Sequence, residues 1–260
     1  VDSIQAPSVV PKVAPTINQT VKETRQAMEG LIHDLNIMNS RSGNQVPFSS
    51  INFGTDISPE GRCVIKAFLE AVDNGVGNEN KTAIFPISIF KVKAGINRNS
   101  EDKNYDLFKF AQKVTSKRFF PNFINLDTAF NYNEKWDIND PNRWYYEPST
   151  MGCRTRVYEN RHGEKSSVGR GNASFTSINI VRLALKAMKS KKTIEERKEV
   201  FFAEMDKIMS LTANQLVERW EWQKTALAKQ FPYVMKYLAE YNEGIKSSDK
   251  VENIIKHFTL

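Results

Sequence analysis

The sequence contains little cysteine: Cys63 and Cys153 are its only two thiols. Two cysteines are too few for the disulfide framework of a small secreted protein, and these two cannot form the Cys-x-x-Cys pairs typical of zinc sites. We therefore expect a cytoplasmic protein with no metal site in this chain.

Long apolar runs are also absent. No stretch approaches the roughly 18 to 20 apolar residues that a membrane-spanning helix needs. The polar, proline-containing start of the chain does not resemble a signal peptide, so we expect no membrane association. Because the sequence begins with Val1 and not with Met, we also expect it to be a fragment.

The sequence does contain enough hydrophobic residues, 40% of 260, for a substantial core. Its net charge of +7 has two interpretations. Exposed lysines explain it in part, since 189–192 is the only dense basic run. A polyanionic partner is the alternative, and nucleoside triphosphates are favoured over duplex nucleic acid because no helix-turn-helix or zinc-finger pattern occurs.

Apolar runs alternate with helical patterns in the first half of the chain, which predicts an α/β fold with parallel strands. Ser58 followed by Pro59 marks the start of one helix, and Asp102 is predicted to cap the next. Pro86 suggests that the second strand is an edge strand or carries a bulge. The predicted strands cover 45–53, 83–92 and 122–130.

The last third of the chain has helical periodicity. Three Ser/Thr-x-x-Glu/Gln patterns are typical of capping boxes at helix starts, and they are Thr20 with Glu23, Thr193 with Glu196, and Thr212 with Gln215. A short final helix is predicted over 250–258. The stretch 172–180 alternates polar and apolar residues, which predicts a strand.

Cys153 is the principal candidate for chemistry. It lies between Gly152 and Arg154, before the polar, glycine-rich loop 158–171. These surroundings favour a thiol displayed on a loop over one packed in a core. A small, buried, inert cysteine is the alternative, and the residues alone leave both readings open. Cys63 is interpreted as a packing residue of a helix.

Two polar sites accompany this cysteine. Asn172 follows the loop and can hydrogen-bond a hydroxyl or a carboxylate, or it can serve the turn geometry alone. The segment 52–56 precedes a helix N-terminus and is either a phosphate cradle or a plain strand-to-helix connection. His33 is expected to have a structural role.

Several of these stretches occur together in one known family. The sequence resembles the anaerobic, class III ribonucleoside-triphosphate reductases, which are glycyl-radical enzymes, over roughly residues 19–187. The motifs that carry the resemblance are 33–36, 40–43, 45–56, 58–61, 84–87 with Phe90 and Lys91, 117–123, 151–157, 161–163, 169–172 and 174–179.

The resemblance implies a fold and a set of functional residues. The fold is part of a ten-stranded α/β barrel with a central cysteine loop at 151–172 and a helical C-terminal third. Together with the resemblance, the proline content of the first 15 residues divides the chain into an extended segment at 1–18, barrel at 19–190 and helices of the same domain at 191–260. Cys153 and Asn172 are the implied catalytic residues. The implied substrate-binding residues are Asn52, Gly54, Thr55, Arg154, Thr155 and Ser174.

The resemblance also implies cofactors and partners. Cys153 would form a thiyl radical that takes the ribose 3′-hydrogen, with formate as reductant and an iron-sulfur, S-adenosylmethionine-dependent protein as activator. The radical glycine, the zinc site and the allosteric ATP/dNTP sites are expected outside this chain. A homodimer is expected for the complete enzyme. There are two alternatives. The chain could belong to another glycyl-radical enzyme, or it could be a non-catalytic or split-gene fragment that binds nucleotide or a partner chain.

Overall fold

A computed structural model describes residues 17–40, 42–152, 154–190, 193–231 and 246–255. The chain divides into two compact units, Val1–Arg156 and Val157–Leu260. Only residues 17 and 18 of the predicted extended segment are described, and both are helical. Cys153 and Pro232 lie outside the described residues.

The first unit contains a three-stranded parallel sheet in the order β1-β2-β3. This confirms the predicted α/β class with parallel pairing; the ten-stranded barrel stays a prediction. A two-stranded sheet, β4-β5, follows. The elements are α1 (Ile17–Ile37), β1 (Ser50–Phe53), α2 (Pro59–Asn74), β2 (Ile87–Val92), α3 (Tyr105–Arg118), β3 (Asn122–Asn125), a 3-10 helix (Arg143–Tyr146), β4 (Ser149–Met151) and β5 (Thr155–Val157).

The two faces of the parallel sheet differ because side chains alternate along each strand. Phe90 and Val92 of β2 belong to the hydrophobic core that includes side chains of α2 and α3. Phe90 packs edge-on against Phe53 of β1, with ring centroids 5.4 Å apart. Lys91, between Phe90 and Val92, reaches Glu147 on the opposite face. One face is therefore apolar, and the other carries polar groups.

The start of α2 confirms the sequence prediction. Ser58 is the N-cap, its hydroxyl accepts a hydrogen bond from the Gly61 amide at 3.0 Å, and Pro59 occupies the first turn. Gly75 ends the helix with φ +77°, a conformation that glycine adopts without strain. Local capping signals therefore fix both ends of this helix.

Three local predictions in this unit are wrong. Thr20 lies inside α1 and does not cap it. Asn104 occupies the N-cap position of α3, whereas the Asp102 carboxylate accepts hydrogen bonds from the Gly95 and Asn99 amides and so closes the preceding loop. Pro86 precedes β2, which is the central strand of the sheet and neither an edge strand nor bulged.

The strand predicted over 122–130 ends early, at Asn125. The Asn125 side chain accepts a hydrogen bond from the Asp127 amide at 3.0 Å, and its carbonyl accepts one from the Thr128 hydroxyl at 3.2 Å. These local bonds replace ladder bonds, because Asn side chains compete for nearby backbone groups. A turn therefore follows β3.

The second unit is mainly helical. Thr193 and Glu196 form the predicted capping box: the Thr193 amide donates to the Glu196 carboxylate at 2.8 Å, and the Thr193 hydroxyl accepts from the Glu196 amide at 3.4 Å. Thr212 lies inside one continuous helix, so the capping box predicted there is wrong. The elements are α4 (Ile180–Met188), α5 (Ile194–Gln223), a 3-10 helix (Ala228–Gln230) and α6 (Val251–Ile254).

The strand predicted over 172–180 is also wrong. Asn172 takes part in a single β-bridge, and residues 173–179 form neither strand nor helix. Asn179 caps α4, since its side-chain oxygen accepts a hydrogen bond from the Arg182 amide at 2.9 Å. Residues 250–255 contain the predicted final helix in shortened form, and 256–258 lie outside the described residues. No helix in the described part of the chain combines the length and apolarity needed to cross a bilayer.

Candidate functional site

A row of side chains crosses the polar face of the parallel sheet. Asn52 of β1 is in register with Ile89 of β2, and Ile89 is in register with Asn122 of β3. Residues in register share a face, so the two asparagines flank Ile89 on the side opposite the helical core. Both asparagines bond residues that lie near Cys153 in the sequence, Thr150 and Arg154. This face is the candidate site.

Asn52 fixes the strand β4 to this face. Its Nδ2 donates to the Thr150 carbonyl at 3.1 Å, and its Oδ1 accepts from the Thr150 amide at 3.1 Å. The Thr150 hydroxyl lies 3.4 Å from the same oxygen. The Asn52 side-chain amide thus bonds the backbone of β4 as a neighbouring strand would.

Asn122 contacts the other side of the β4-β5 connection. Its Oδ1 accepts from the Arg154 Nη1 at 3.4 Å. Gly152 and Arg154, which flank Cys153 in the sequence, both have positive φ, +50° and +85°. Cys153 belongs to this connection by sequence. The described neighbours of Cys153 are therefore tied to β1 and β3 at two points.

Glu147 and Lys91 form a buried ion pair next to this strand. The Lys91 Nζ lies 3.0 Å from the Glu147 Oε2, and the side chains are 7% and 1% exposed. The Thr55 hydroxyl donates to the same carboxylate oxygen at 3.0 Å, and the Trp136 Nε1 donates to Oε1 at 3.2 Å. The predicted substrate residue Thr55 thus already has a protein partner.

The Gly54 loop is held by buried asparagines. The Gly54 carbonyl accepts from the Asn97 Nδ2 at 3.0 Å and from the Asn104 Nδ2 at 3.3 Å. Gly54 has φ +119°, and a Cβ there would lie 3.0 Å from the Lys91 carbonyl oxygen and 3.2 Å from the Phe90 ring. Both the backbone conformation and the close approach therefore require glycine.

The N-terminus of α2, where a phosphate cradle is predicted, holds a carboxylate. The Asp56 Oδ1 accepts from the Ser58 amide at 2.8 Å and from the Ser58 hydroxyl at 2.7 Å. A phosphate in the same place would lie beside this negative charge. The predicted substrate contacts of Asn52, Gly54 and Thr55 stay predictions, and the described contacts of their polar groups are to the protein.

Asn172 and Ser174 belong to the second unit. The Ser174 hydroxyl accepts from the Arg219 Nη1 at 3.4 Å, and the same nitrogen donates to the Phe175 carbonyl at 3.2 Å. The predicted roles of Asn172, Ser174 and Cys153 in catalysis or substrate binding stay predictions, as do those of Arg154 and Thr155.

Two further residues considered in the sequence have ordinary surroundings. Cys63 is half-buried on α2, and His33 is exposed, with its Nδ1 3.4 Å from the Asp34 carboxylate. Among the residues that the structure describes, no three His, Cys, Asp or Glu side chains are grouped as a metal site.

The chain was compared with known protein families and with characterised proteins. The family model described as "Anaerobic ribonucleoside-triphosphate reductase" matches residues 2–260. The chain belongs to this family. The relatives carry the same name: the protein of Salmonella typhimurium is 29% identical over 247 residues, which is 92% of this chain and 31% of that protein.

Two other members of the anaerobic ribonucleoside-triphosphate reductase family match a shorter part of the chain. The Escherichia coli protein is 32% identical over 172 residues, 65% of this chain and 22% of its own length. The protein of Enterobacteria phage T4 is 31% identical over 170 residues, 65% of this chain and 26% of its own length. The chain thus spans less than a third of the length of each of these relatives.

The sequence analysis did not predict the buried ion pair of Lys91 and Glu147 in this member of the reductase family. Lys91 is in one of the family motifs and in the strand predicted over 83–92, where no role is predicted for it. Glu147 lies in an aromatic, proline-containing stretch. A lysine inside an apolar strand was the available signal, since lysine is almost never fully buried without a partner.

Proposed function

We propose that this chain supplies the central part of the catalytic subunit of an anaerobic ribonucleotide reductase, which converts ribonucleoside triphosphates to deoxyribonucleoside triphosphates. The observation that carries the proposal is the anchoring of the β4-β5 connection, where Cys153 lies by sequence. Asn52 holds Thr150 before the cysteine, and Asn122 accepts from Arg154 after it. A reactive cysteine needs such fixed neighbours, because reaction rates depend steeply on the placement of the reacting atoms.

Cys153 is the proposed hydrogen-abstracting residue. Its thiyl form takes the hydrogen atom from C3′ of the ribose, so that an S–H bond forms, the C3′–H bond breaks and the unpaired electron moves to the sugar. The two bonds are of comparable strength, which makes the transfer feasible in both directions. A glycine radical held outside this chain would supply the thiyl state.

Formate is the proposed reductant. It delivers two electrons and one proton and leaves as carbon dioxide. The 2′-hydroxyl takes up a further proton and leaves as water, so that a C2′–H bond replaces the C2′–O bond. Asn172 is proposed to orient the ribose hydroxyls or the formate carboxylate, because an amide donates and accepts hydrogen bonds without exchanging protons at neutral pH. Water must be kept from the radical, which requires a closed site.

The substrate contacts are proposed in two groups. Arg154 brings a positive charge next to Cys153 and suits a triphosphate, with Thr155 beside it. The other proposed contacts are Asn52, Gly54, Thr55 and Ser174. An iron-sulfur activating protein, a homodimeric assembly, and zinc and effector sites outside this chain complete the proposal.

Reconstitution tests this function. Under strict anaerobiosis, with activating protein, S-adenosylmethionine and formate, we expect the 260-residue chain alone to form no deoxyribonucleotide. A reductase that combines these residues with the polypeptide carrying the radical glycine should form it. Turnover by the isolated chain would overturn the placement of the radical outside it. A reconstituted enzyme that stores the radical and reduces no nucleotide would overturn the function itself.

A further inference from the structure

The ion pair of Glu147 and Lys91 is fully enclosed. Both carboxylate oxygens have donors: Oε2 accepts from the Lys91 Nζ at 3.0 Å and the Thr55 hydroxyl at 3.0 Å, and Oε1 accepts from the Trp136 Nε1 at 3.2 Å. No polar group of Glu147's side chain is left unsatisfied. Such saturation fixes the orientation of the carboxylate.

The pair connects parts of the chain that are far apart in sequence. Thr55 follows β1, Lys91 belongs to β2, and Glu147 comes just before β4. Three residues after Glu147, Thr150 is bonded to Asn52 through its amide and its carbonyl. The segment 147–150 is therefore attached to the sheet at both ends, over a length of about 10 Å at most.

Stability alone does not account for an ion pair at this place. Removing two charges from water is costly, and apolar side chains of similar volume often stabilise a protein as well or better. In some proteins a buried ion pair instead selects one arrangement of the elements that it joins. Here the selected arrangement is that of β4 on the sheet, and β4 leads directly into Gly152 and Cys153.

We propose that Lys91 and Glu147 are positioning residues for Cys153. The pair fixes the position of β4, and Cys153 follows β4 by two residues in the sequence. The inference rests on the radical role of Cys153 given under the proposed function. A displacement of about 1 Å at a reacting atom can lower the rate about a hundredfold, so a shift of β4 is sufficient to impair hydrogen transfer.

Substitution of both partners separates positioning from stability. Glu147→Gln leaves the lysine charge buried without a counter-charge and should lower the unfolding midpoint. The double variant Lys91→Met with Glu147→Met removes both charges and should recover most of that loss. In the reconstituted reductase the double variant should store as much glycyl radical by electron paramagnetic resonance as the wild type. Its kcat should nevertheless be about ten- to a hundredfold lower, with little change in KM.

A surface pair provides the control. Arg25 and Glu70 are in contact at 2.6 Å, with the arginine side chain 51% exposed. Arg25→Gln with Glu70→Gln should leave both kcat and radical yield unchanged. Recovery of wild-type kcat together with stability in the double methionine variant would overturn the positioning role.

A milder variant covers the case in which the double variant does not fold. Trp136→Phe removes the hydrogen bond to Glu147 Oε1 and part of the ring that the Lys93 ammonium faces at 4.5 Å, and it keeps the Lys91–Glu147 ion pair. We expect it to fold and to lower kcat about three- to tenfold at unchanged radical yield; wild-type kcat would contradict the inference. Cys153→Ser is assayed in parallel. Turnover by that serine variant refutes the proposed function, whereas inactivity of the serine variant combined with normal Trp136→Phe or double-variant turnover refutes only the positioning role.

Discussion

Asn52 and Thr150 are joined like two strand residues: the Asn52 Nδ2 donates to the Thr150 carbonyl at 3.1 Å, and the Thr150 amide donates to the Asn52 Oδ1 at 3.1 Å. The side-chain amide of β1 thus satisfies both backbone groups of one residue in β4. Leaving buried backbone groups without partners costs about 1–3 kcal/mol.

Asn52→Ala should therefore lower the free energy of unfolding by about 1–3 kcal/mol, measured by urea denaturation of the 260-residue chain. Asn139→Ala is the control, because Asn139 is exposed and bonds only within its own turn to Asp137. Equal stability of the Asn52 and Asn139 variants would contradict the anchoring role of the Asn52 side chain.

Arg118 at the end of α3 caps the end of α2. Its guanidinium donates to the carbonyls of Asp73, Asn74 and Asn80, and it is only 9% exposed. Helix C-termini present carbonyls without partners and favour positive charge. Arg118→Met should cost about 2–3 kcal/mol in unfolding free energy.

The exposed Arg25 is the comparison for this change. Arg25→Met breaks a surface pair and should cost at most about 1 kcal/mol. Similar losses for the two methionine variants in urea denaturation would contradict the capping role of Arg118.

The sequence predicted the capping residue correctly for some helices and not for others. Ser58 and Thr193 begin helices as expected, whereas Thr20 and Thr212 lie inside helices. The same four-residue pattern fits a helix interior, where residues three apart are also neighbours. Such a pattern therefore signals a helix more reliably than it signals the first residue of that helix.

The arrangement of the candidate site was less predictable. Asn52 was predicted to contact substrate, whereas the structure bonds its side chain to Thr150, which is 98 positions away and gives no local signal in the sequence. Lys91 and Glu147 are 56 positions apart. Contacts of this kind depend on which strands become neighbours, and periodicity does not specify that. The motifs predict which residues to test, and only the fold shows what those residues contact.

Asp127 makes stability depend on pH. Burial raises the pKa of its carboxyl, but the hydrogen bond from the Ala94 amide and those from Lys93 and Arg98 outweigh burial and hold that pKa below its ordinary value. A carboxyl whose pKa is lower in the folded state stabilises the fold fully above its unfolded pKa, about 3.9. That contribution is lost as the pH falls through the folded pKa.

Near neutral pH, Asp127→Asn should consequently have a lower free energy of unfolding than the wild type. On acidification below about pH 4, the free energy of unfolding of the variant should fall less than that of the wild type. Urea denaturation at pH 7 and pH 3 measures both effects. Glu101→Gln, at an exposed position, is the control and should leave the free energy of unfolding at pH 7 close to that of the wild type. An equal change in unfolding free energy between pH 7 and pH 3 for the wild type and Asp127→Asn would contradict this account.

Asn172→Ala tests the proposed substrate side of the site. Loss of a positioning hydrogen bond should lower kcat/KM by roughly ten- to a thousandfold while the fold is retained. The measurement is steady-state reduction by the reconstituted enzyme at varied nucleotide and formate concentrations, with circular dichroism to check the fold. Unchanged kinetics with both substrates would remove Asn172 from the site.

Cys63→Ser is the control for the proposed radical cysteine. Cys63 is half-buried on α2 and has no assigned chemistry, so its serine variant should keep most of the activity apart from a packing cost. A large loss of turnover in a folded Cys63→Ser enzyme would show that the thiol chemistry is not confined to Cys153.

The central claim is that the sulfur of Cys153 carries the reaction, and Cys153→Ser in the reconstituted reductase tests it most directly. The change in volume is small, and the radical is stored elsewhere. The variant should therefore fold and show the wild-type glycyl-radical signal by electron paramagnetic resonance. It should form no deoxyribonucleotide, because an alcohol O–H bond is too strong for a glycyl radical to break. Deoxyribonucleotide formation by the serine variant would contradict the account.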